Sequence, residues 1–358
     1  MRERFVRIPG LIDTHVHLRD PGETHKEDFY TGTSAALAGG VICVIDMPNN
    51  KEPIIDSERL EEKEKIAKRK AVCDYGFYLG ASEENSQHRE IEVLNRVVGL
   101  KMYLNLTYGA LFVSSPEKIK EHFASWPKNK PLLVHAEGEK VSMVLSLLKL
   151  SPRRVHFCHI SLKEEIEQIK KAKEYGLPIT CEATPHHLFL TEEDGRTLGP
   201  FGKIHPPLRT TEDVDALWRN LDVIDIIVSD HAPHTKEEKL SSAPPPGVPG
   251  VETTLPLLLS AVSQGKLSLD RLVELTSTNP ARIFNLKPNQ GSWVEVDITE
   301  SYLIENQNLK TKCGWSPFEG KKVTGRVRRV FLRGHKVYED GEILVKPGFW
   351  RGIIYAAI

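Results

Sequence analysis

Residues 13–22 read DTHVHLRDPG and set His15, His17 and Arg19 at every second position, straight after the apolar run PGLI. In an extended strand, residues two apart face the same way, so two imidazoles and a guanidinium would leave one side together. Two such histidines can hold a divalent cation, and a guanidinium fork beyond them matches a carboxylate. A bare HxH fits a solvated loop pair equally well, so the case depends on what other segments bring. They bring Met47-Pro48-Asn49, Lys101 inside the otherwise apolar GLKMYLN, His135, Cys158-His159, Glu182, and Asp230 followed by HAPH. Singly, each has an ordinary explanation, such as a lysine snorkelling to water or a hydrogen-bonded core histidine. Jointly they would be several independent coincidences at one face of a fold. His15, His17, His135, His159 and Asp230 offer donors suited to zinc or a similar borderline ion. Two ions side by side would need a bridging anion, and Lys101 is the residue placed to supply one. Burial favours the neutral amine of a lysine, which can take up carbon dioxide to give a bidentate carbamate.

These residues sit at the ends of short β-branched runs: PGLIDTHVHL, VICVIDMP, CDYGFYLGA, VGLKMYLN, PLLVHAE, VHFCHI, PITCEA and VIDIIVSD, eight candidate strands in all. Between them, SERLEEKEKIAKRK, SSPEKIKEHFASW, LKEEIEQIKKAKEYG and TEDVDALWRN carry helical periodicity. Ser115-Pro116 reads as an N-cap with proline at the first helical position, and Gly176 as a helix stop. The run KEKIAKRK reads as the wet face of a helix. Strands alternating with helices imply a parallel sheet with right-handed crossovers. Eight units fit an α/β fold of the (β/α)8 TIM-type barrel kind better than an open doubly wound sheet, and no Gly-rich nucleotide turn follows any strand. In such a barrel, chemistry is done where the strands end.

Beyond residue 230 the texture changes. SSAPPPGVPG is a long Pro/Gly-rich loop, expected to be functional or packed on the barrel mouth. Residues 251–286 read as helices. WVEVDI, KKVTGRVRRVFLRG and HKVYEDGEILV alternate like antiparallel strands, with Asp340-Gly341 as a hairpin turn. The division expected is a barrel with its post-barrel helices over 8–290, and a small β-sandwich-like subdomain over 291–358 joined by residues 1–7.

Length and composition narrow the function classes. The 358 residues are 40% hydrophobic, enough for a large core, with 48 Lys and Arg against 49 Asp and Glu. No basic field points to nucleic acid. No apolar stretch approaches a membrane span of about 18 residues, and MRERFVRIPG is too polar for a signal peptide. Five cysteines without a CxxC pair read as reduced thiols of a cytoplasmic protein.

PGLIDTHVHLRDPG, MPNN, GLKMYLN, VHAE, CHI, CEATPHHLFL and SDHAPHT, in this order, resemble the dihydroorotases of the amidohydrolase superfamily. THKEDF, GTSAALAGG, EPIID, PPPGVPG and WSPFEGKKVTGRVRRVFLRG are most similar to the branch that forms one domain of the animal multifunctional pyrimidine-synthesis protein. The resemblance covers nearly the whole chain. It implies two zinc ions: His15, His17 and Asp230 on one, His135 and His159 on the other, and N6-carboxylated Lys101 bridging both, as would a hydroxide that serves as nucleophile. Asp230 would be general base and acid. Arg19, Asn49 and His234 would clamp the substrate carboxylate. Thr107 and Tyr108 would tip a mobile loop over the site, where the animal pattern has Thr followed by Phe, and Pro246 and Gly247 would line the mouth. Cys158 and Glu182 would offer a third metal position with His15. The sequence departs from the animal pattern at His205, which stands where that pattern has arginine; Arg209 is the nearby candidate to compensate.

The implied reaction is the reversible hydrolysis of L-dihydroorotate to N-carbamoyl-L-aspartate, in a homodimer, with carbamoyl-phosphate synthetase and aspartate transcarbamylase domains as partners. The chain is expected to be an excised domain or a short form. Two other readings stay open. Another cyclic amidase (dihydropyrimidinase, hydantoinase or allantoinase) would share the barrel and the metal ligands. A non-catalytic, dihydroorotase-like assembly domain would have lost ligands, whereas here every expected ligand is present.

Overall fold

The computed structural model describes residues 4–87, 91–287 and 291–349. Its strands are β1 (Phe5–Pro9), β2 (Leu11–Val16), β3 (Val41–Asp46), β4 (Asp74–Gly80), β5 (Gly99–Tyr103), β6 (Leu132–His135), β7 (Val155–Phe157), β8 (Ile179–Ala183), β9 (Ile226–Ile227), β10 (Trp293–Leu303), β11 (Lys322–Leu332), β12 (His335–Glu339) and β13 (Glu342–Ile343). β2 to β9 form an eight-stranded sheet in sequential order, every pairing parallel. The sheet curls until its ends meet: His17 N–H donates to the His231 carbonyl at 2.8 Å, and Ser229 N–H to the Asp13 carboxylate at 3.2 Å. All eight expected strands are present, and together they make a (β/α)8-type barrel.

Local chemistry explains the helices that the periodicity indicates. Asp56 caps Ser57–Lys70 by accepting from Arg59 N–H, and Ser115 caps Pro116–Ser125 by accepting from Lys118 N–H. Gly176, at φ +78°, follows the helix Lys163–Glu174. Phe29–Ala38 carries no amphipathic signature, being built of small and apolar residues buried almost all round; a helix wrapped by neighbours on most sides needs no polar stripe. Glu139–Leu150 buries one stripe, Val141, Val144, Leu145 and Leu148, at helical spacing.

One expectation is corrected. KEKIAKRK is not simply a wet helical face, because Lys63 is fully buried. Its ammonium pairs with Asp46 at 2.6 Å and donates to the Met47 carbonyl and to Asn50 Oδ1, both at 2.8 Å. Asp46 in turn accepts from Leu18 N–H at 2.8 Å. The pair thus ties the end of β3 to the exit of β2, next to His17 and Arg19. Lys70 of the same run reaches Asp20 at 2.6 Å. Charge alone gave no sign of this, because a lysine stem is long enough to turn inward wherever a buried carboxylate waits.

The small β-rich part is one antiparallel sheet in the order β1-β10-β11-β12-β13. Its register sets Ile8 opposite Val294, and Trp293 stacks on Phe331 with ring centroids 3.9 Å apart. Asp340 and Gly341, at φ +46° and +97°, form the expected hairpin turn. Helix Thr254–Ser263 packs against β11 at Gly325, where an added Cβ would stand 2.5 Å from that of Leu259. Residues 1–3, 288–290 and 350–358, which the expected division also includes, lie outside the described residues. Among the described residues no helix is long and apolar enough to cross a membrane.

Truncating Lys63 leaves the Asp46 carboxylate buried without its partner, which costs about 3–5 kcal/mol for such pairs. Lys63→Ala is therefore expected to lower the urea midpoint markedly, and a denaturation curve matching the parent would exclude this role.

Candidate active site

The polar residues singled out in the sequence converge at the C-terminal rim of the barrel. His15 lies in β2 and His17 just past its end; Lys101 lies in β5, His135 ends β6, and Cys158 and His159 follow β7. Glu182 lies in β8 and Asp230 follows β9. All are buried. Three residues with side chains at this rim, Arg19, His159 and Asp230, hold left-handed backbone at φ +62°, +33° and +45°. For non-glycine residues such conformations cost energy and persist only where surrounding structure enforces them, as at functional sites.

His15 Nε2 and His17 Nε2 stand 3.3 and 3.1 Å from Asp230 Oδ1. One ligand atom from each of these three residues falls in a cluster no wider than 4.8 Å, and the same holds for His15, Cys158 and Glu182. His15 therefore belongs to both groups, with Nδ1 in contact with Glu182 Oε1. His135 Nδ1 lies 2.9 Å from His159 Nε2, while His159 Nδ1 is buried without a partner. The Lys101 ammonium donates to Cys158 Sγ at 2.8 Å and, among the described residues, makes no ion pair.

The electrostatics ask for a cation. Burial opposes a proton on His15, yet Glu182 and Asp230 overrule it and lift this histidine to about 10. Desolvation drags His17 down to about 4 and pushes His135 and His159 below the ordinary imidazole range. Desolvation would raise Asp230, but the surrounding histidines hold it well below the usual carboxylate range. Neutral imidazoles beside ionised carboxylates are the protonation states in which these groups bind metal. An unpartnered buried ring nitrogen and a mixed His/Asp/Glu/Cys donor set therefore fit a divalent ion such as zinc.

Above this floor an opening is lined by His15, His17, His135, His159 and Asp230 together with Arg19, Asn49, Thr107, Tyr108, His205, Pro246 and Gly247. Arg19 is held from behind: Nε donates to the Pro233 carbonyl at 3.2 Å, and Nη2 lies 3.2 Å from His234 Nε2. Its Nη1 is buried with no partner. A buried guanidinium nitrogen without an acceptor is costly unless an anion completes it. His234 is not on the lining; it braces Arg19 and lies 3.0 Å from the Pro246 carbonyl. Asn49 spends its amide internally, with Oδ1 2.7 Å from His17 Nδ1 and Nδ2 donating to the Tyr108 carbonyl at 3.1 Å. The Tyr108 ring stands edge-on to His234 and within 4.9 Å of the Arg19 guanidinium. Its hydroxyl donates to Glu23 and accepts from Lys26 at 2.5 Å.

Arg209 does not take the place of an arginine at His205. Its Nε donates to Ser161 Oγ at 3.1 Å and its Nη2 pairs with Glu137 at 3.3 Å. Glu137 Oε1 lies 2.9 Å from His135 Nε2, so Arg209 acts on a ligand candidate from outside the opening. Sequence reading passed over Tyr103 and His156. Tyr103 lines the opening with a buried, unpartnered hydroxyl. His156 Nε2 lies 2.9 Å from Glu182 Oε2 and aims that carboxylate. The signal for Tyr103 was available, since it lies two residues beyond Lys101 on one strand and shares its face. The same signal was there for His156, which lies two residues before Cys158 in the run VHFCHI.

Comparison with known proteins agrees with this geometry. The model of the amidohydrolase family matches residues 6–296. The multifunctional protein CAD of Squalus acanthias is 50% identical over 98% of this chain, which spans only 16% of that protein's length. The dihydroorotase of Pyrococcus abyssi is 38% identical over 95% of this chain and 85% of its own. Among solved structures, the L-hydantoinase of Arthrobacter aurescens superposes with a TM-score of 0.90 at 27% identity, covering 96% of this chain and 88% of that one. The inactive dihydroorotase-like domain of a Chaetomium thermophilum CAD-like protein does so at 0.83 and 28% identity, covering 98% and 99%. A barrel whose strand ends gather these histidines and carboxylates, matched over this length, leaves one assignment: the chain belongs to the amidohydrolase family and groups with its dihydroorotases.

Proposed function

We propose that this chain is a dihydroorotase, opening L-dihydroorotate to N-carbamoyl-L-aspartate and closing the ring in the biosynthetic direction. The observation that carries the reading is the unpartnered Nη1 of Arg19, buried beside the metal-ligand cluster. It gives the site a place for a substrate carboxylate next to the place for its amide.

His15, His17 and Asp230 would hold one zinc ion, His135 and His159 a second, and Lys101 as a carbamate would join them; His15, Cys158 and Glu182 offer a third position. Bound there, such ions lower the pKa of water from about 15.7 to about 7 and polarise a carbonyl. The remaining work falls to the protein. Arg19 grips the carboxylate, braced by His234, and so orients the ring. Asn49 fixes His17 and the Tyr108 segment, and Thr107 and Tyr108 wall the ring from bulk water. Hydrolysis adds the oxygen of water to the ring carbonyl carbon while the ring C–N bond breaks. One proton must leave the water and arrive at the departing nitrogen. Asp230, ionised and at the centre of the cluster, takes that proton and returns it.

The likeness to a multifunctional protein is in keeping with a domain that works beside carbamoyl-phosphate synthetase and aspartate transcarbamylase domains; a homodimer remains part of the proposal. Five buried free cysteines are in keeping with a cytoplasmic enzyme. We keep the expected division into a barrel over 8–290 and a smaller β-rich part.

Two rival readings are tested by the same experiments. Hydantoinase neighbours favour a cyclic amidase acting on neutral rings, which gives Arg19 nothing to bind. The inactive Chaetomium neighbour favours an assembly domain, which would leave the ligand set without purpose. Hydrolysis of L-dihydroorotate, abolished by chelation and restored by zinc, is expected, with at least one zinc per chain. Equal turnover of dihydrouracil or hydantoin would support the first rival, and a zinc-free, inactive chain the second. Lys101→Ala is expected to abolish turnover and strip most of the metal; an active, metal-replete variant would refute the carbamate. Arg19→Ala should lose about 2–5 kcal/mol in kcat/KM, the cost of truncating one partner of a buried charge pair, with zinc retained. Loss of zinc in that variant would instead make Arg19 a structural residue.

A further inference from the structure

Lys239 is fully buried at the end of the short helix Lys236–Lys239. Among the described residues it makes no ion pair. Its ammonium instead donates to three main-chain carbonyls: Lys203 and Pro245 at 3.0 Å, and Gly247 at 3.1 Å. A lysine ammonium has three donors, so all are used. Burying a charge without a counter-charge is expensive, and packing alone would be served by an apolar side chain of the same length. The three carbonyls locate what the charge achieves. Lys203 leads into Ile204 and His205, and Pro245 into Pro246 and Gly247, and these four residues line the opening. Gly247 N–H also donates to the Lys203 carbonyl at 3.0 Å, joining the two segments to each other. Gly247 sits at φ +134°, where an added Cβ would stand 2.6 Å from the Ala232 carbonyl, so this wall has no slack. The helix bearing Lys239 is capped by Thr235, the residue after His234, which braces Arg19.

We propose that Lys239 is a positioning residue for the substrate: one ammonium locks the wall formed by 203–205 and 245–247 to the helix that follows His234, and so sets the width of the opening beside Arg19. The inference rests on the dihydroorotase reading for its substrate, not for its geometry. Lys239 touches none of the metal-ligand candidates. Its removal should therefore loosen the hold on the ring without disturbing the chemistry beneath.

The test is Lys239→Met, with Lys239→Gln and Lys239→Arg as graded replacements, assayed on L-dihydroorotate as full-length chains. Lys239→Met is expected to raise KM at least about tenfold, the worth of one charge-assisted hydrogen bond, with kcat and zinc content near the parent's and partial recovery in Lys239→Gln. Hydrogen exchange provides a readout independent of turnover. The amides of 203–205, Gly247 and Val248 should exchange faster in Lys239→Met, while those of β2, β5 and β6 keep their protection. If the parent itself fails to turn over dihydroorotate, the functional reading falls and the exchange result alone decides the lock. Unchanged KM or unchanged exchange at these segments in folded variants would overturn the proposal. So would parallel loss of zinc and kcat, or failure of all three variants to fold, since either would make Lys239 a general stability residue.

Discussion

Two buried carboxylates, Asp230 and Glu182, confront His15 from different sides, and one imidazole can carry only one positive charge. Everything around the site follows from that imbalance. His17 adds a contact to Asp230, and His156 one to Glu182. Burial keeps His17, His135 and His159 from taking protons to make up the deficit. A low-dielectric pocket with ionised carboxylates and neutral imidazoles is stable only if something cationic shares it. Acidic folded interiors usually avoid this arrangement; the barrel tolerates it because its strand ends hold each group in place before any ion arrives.

The same constraint explains where the chain uses lysine. Lys63 answers Asp46 behind the first two strand ends, Lys26 answers Glu23 under Tyr108, and Lys239 is caged by carbonyls behind the mouth. Each lies outside the ligand cluster and stiffens a segment that carries a site residue. Lys101 differs from all three. It is fully buried inside the ligand cluster, with a thiol as its hydrogen-bond acceptor.

Much of the site was legible from one dimension because a parallel barrel translates order in sequence into order around a ring. Every strand end faces the same rim, so a polar residue closing an apolar run is aimed at its counterparts without further information. His15, His17, Lys101, His135, His159, Glu182 and Asp230 were all visible on that basis. Residues whose role depends on a partner from elsewhere were not. Arg209 looked like a substitute for the arginine missing at 205, yet Glu137 and Ser161 hold it away from the opening. Lys63 looked solvated until Asp46 supplied a reason to turn inward. Asn49, expected as a carboxylate clamp, also ties His17 to the Tyr108 carbonyl through its amide, a link no local pattern announces.

What the amino-acid sequence determined alone was periodic: strands alternating with helices, a separate run of antiparallel strands, and chemistry-bearing residues at strand ends. These follow from backbone geometry and the side-chain period, which are local. What the tertiary structure alone decided was pairing. It chose which carboxylate meets which imidazole, left one nitrogen of Arg19 without a partner, and drew three carbonyls from two segments around a single ammonium. Such choices depend on distances between residues far apart in the chain, and those distances exist only once the barrel has closed.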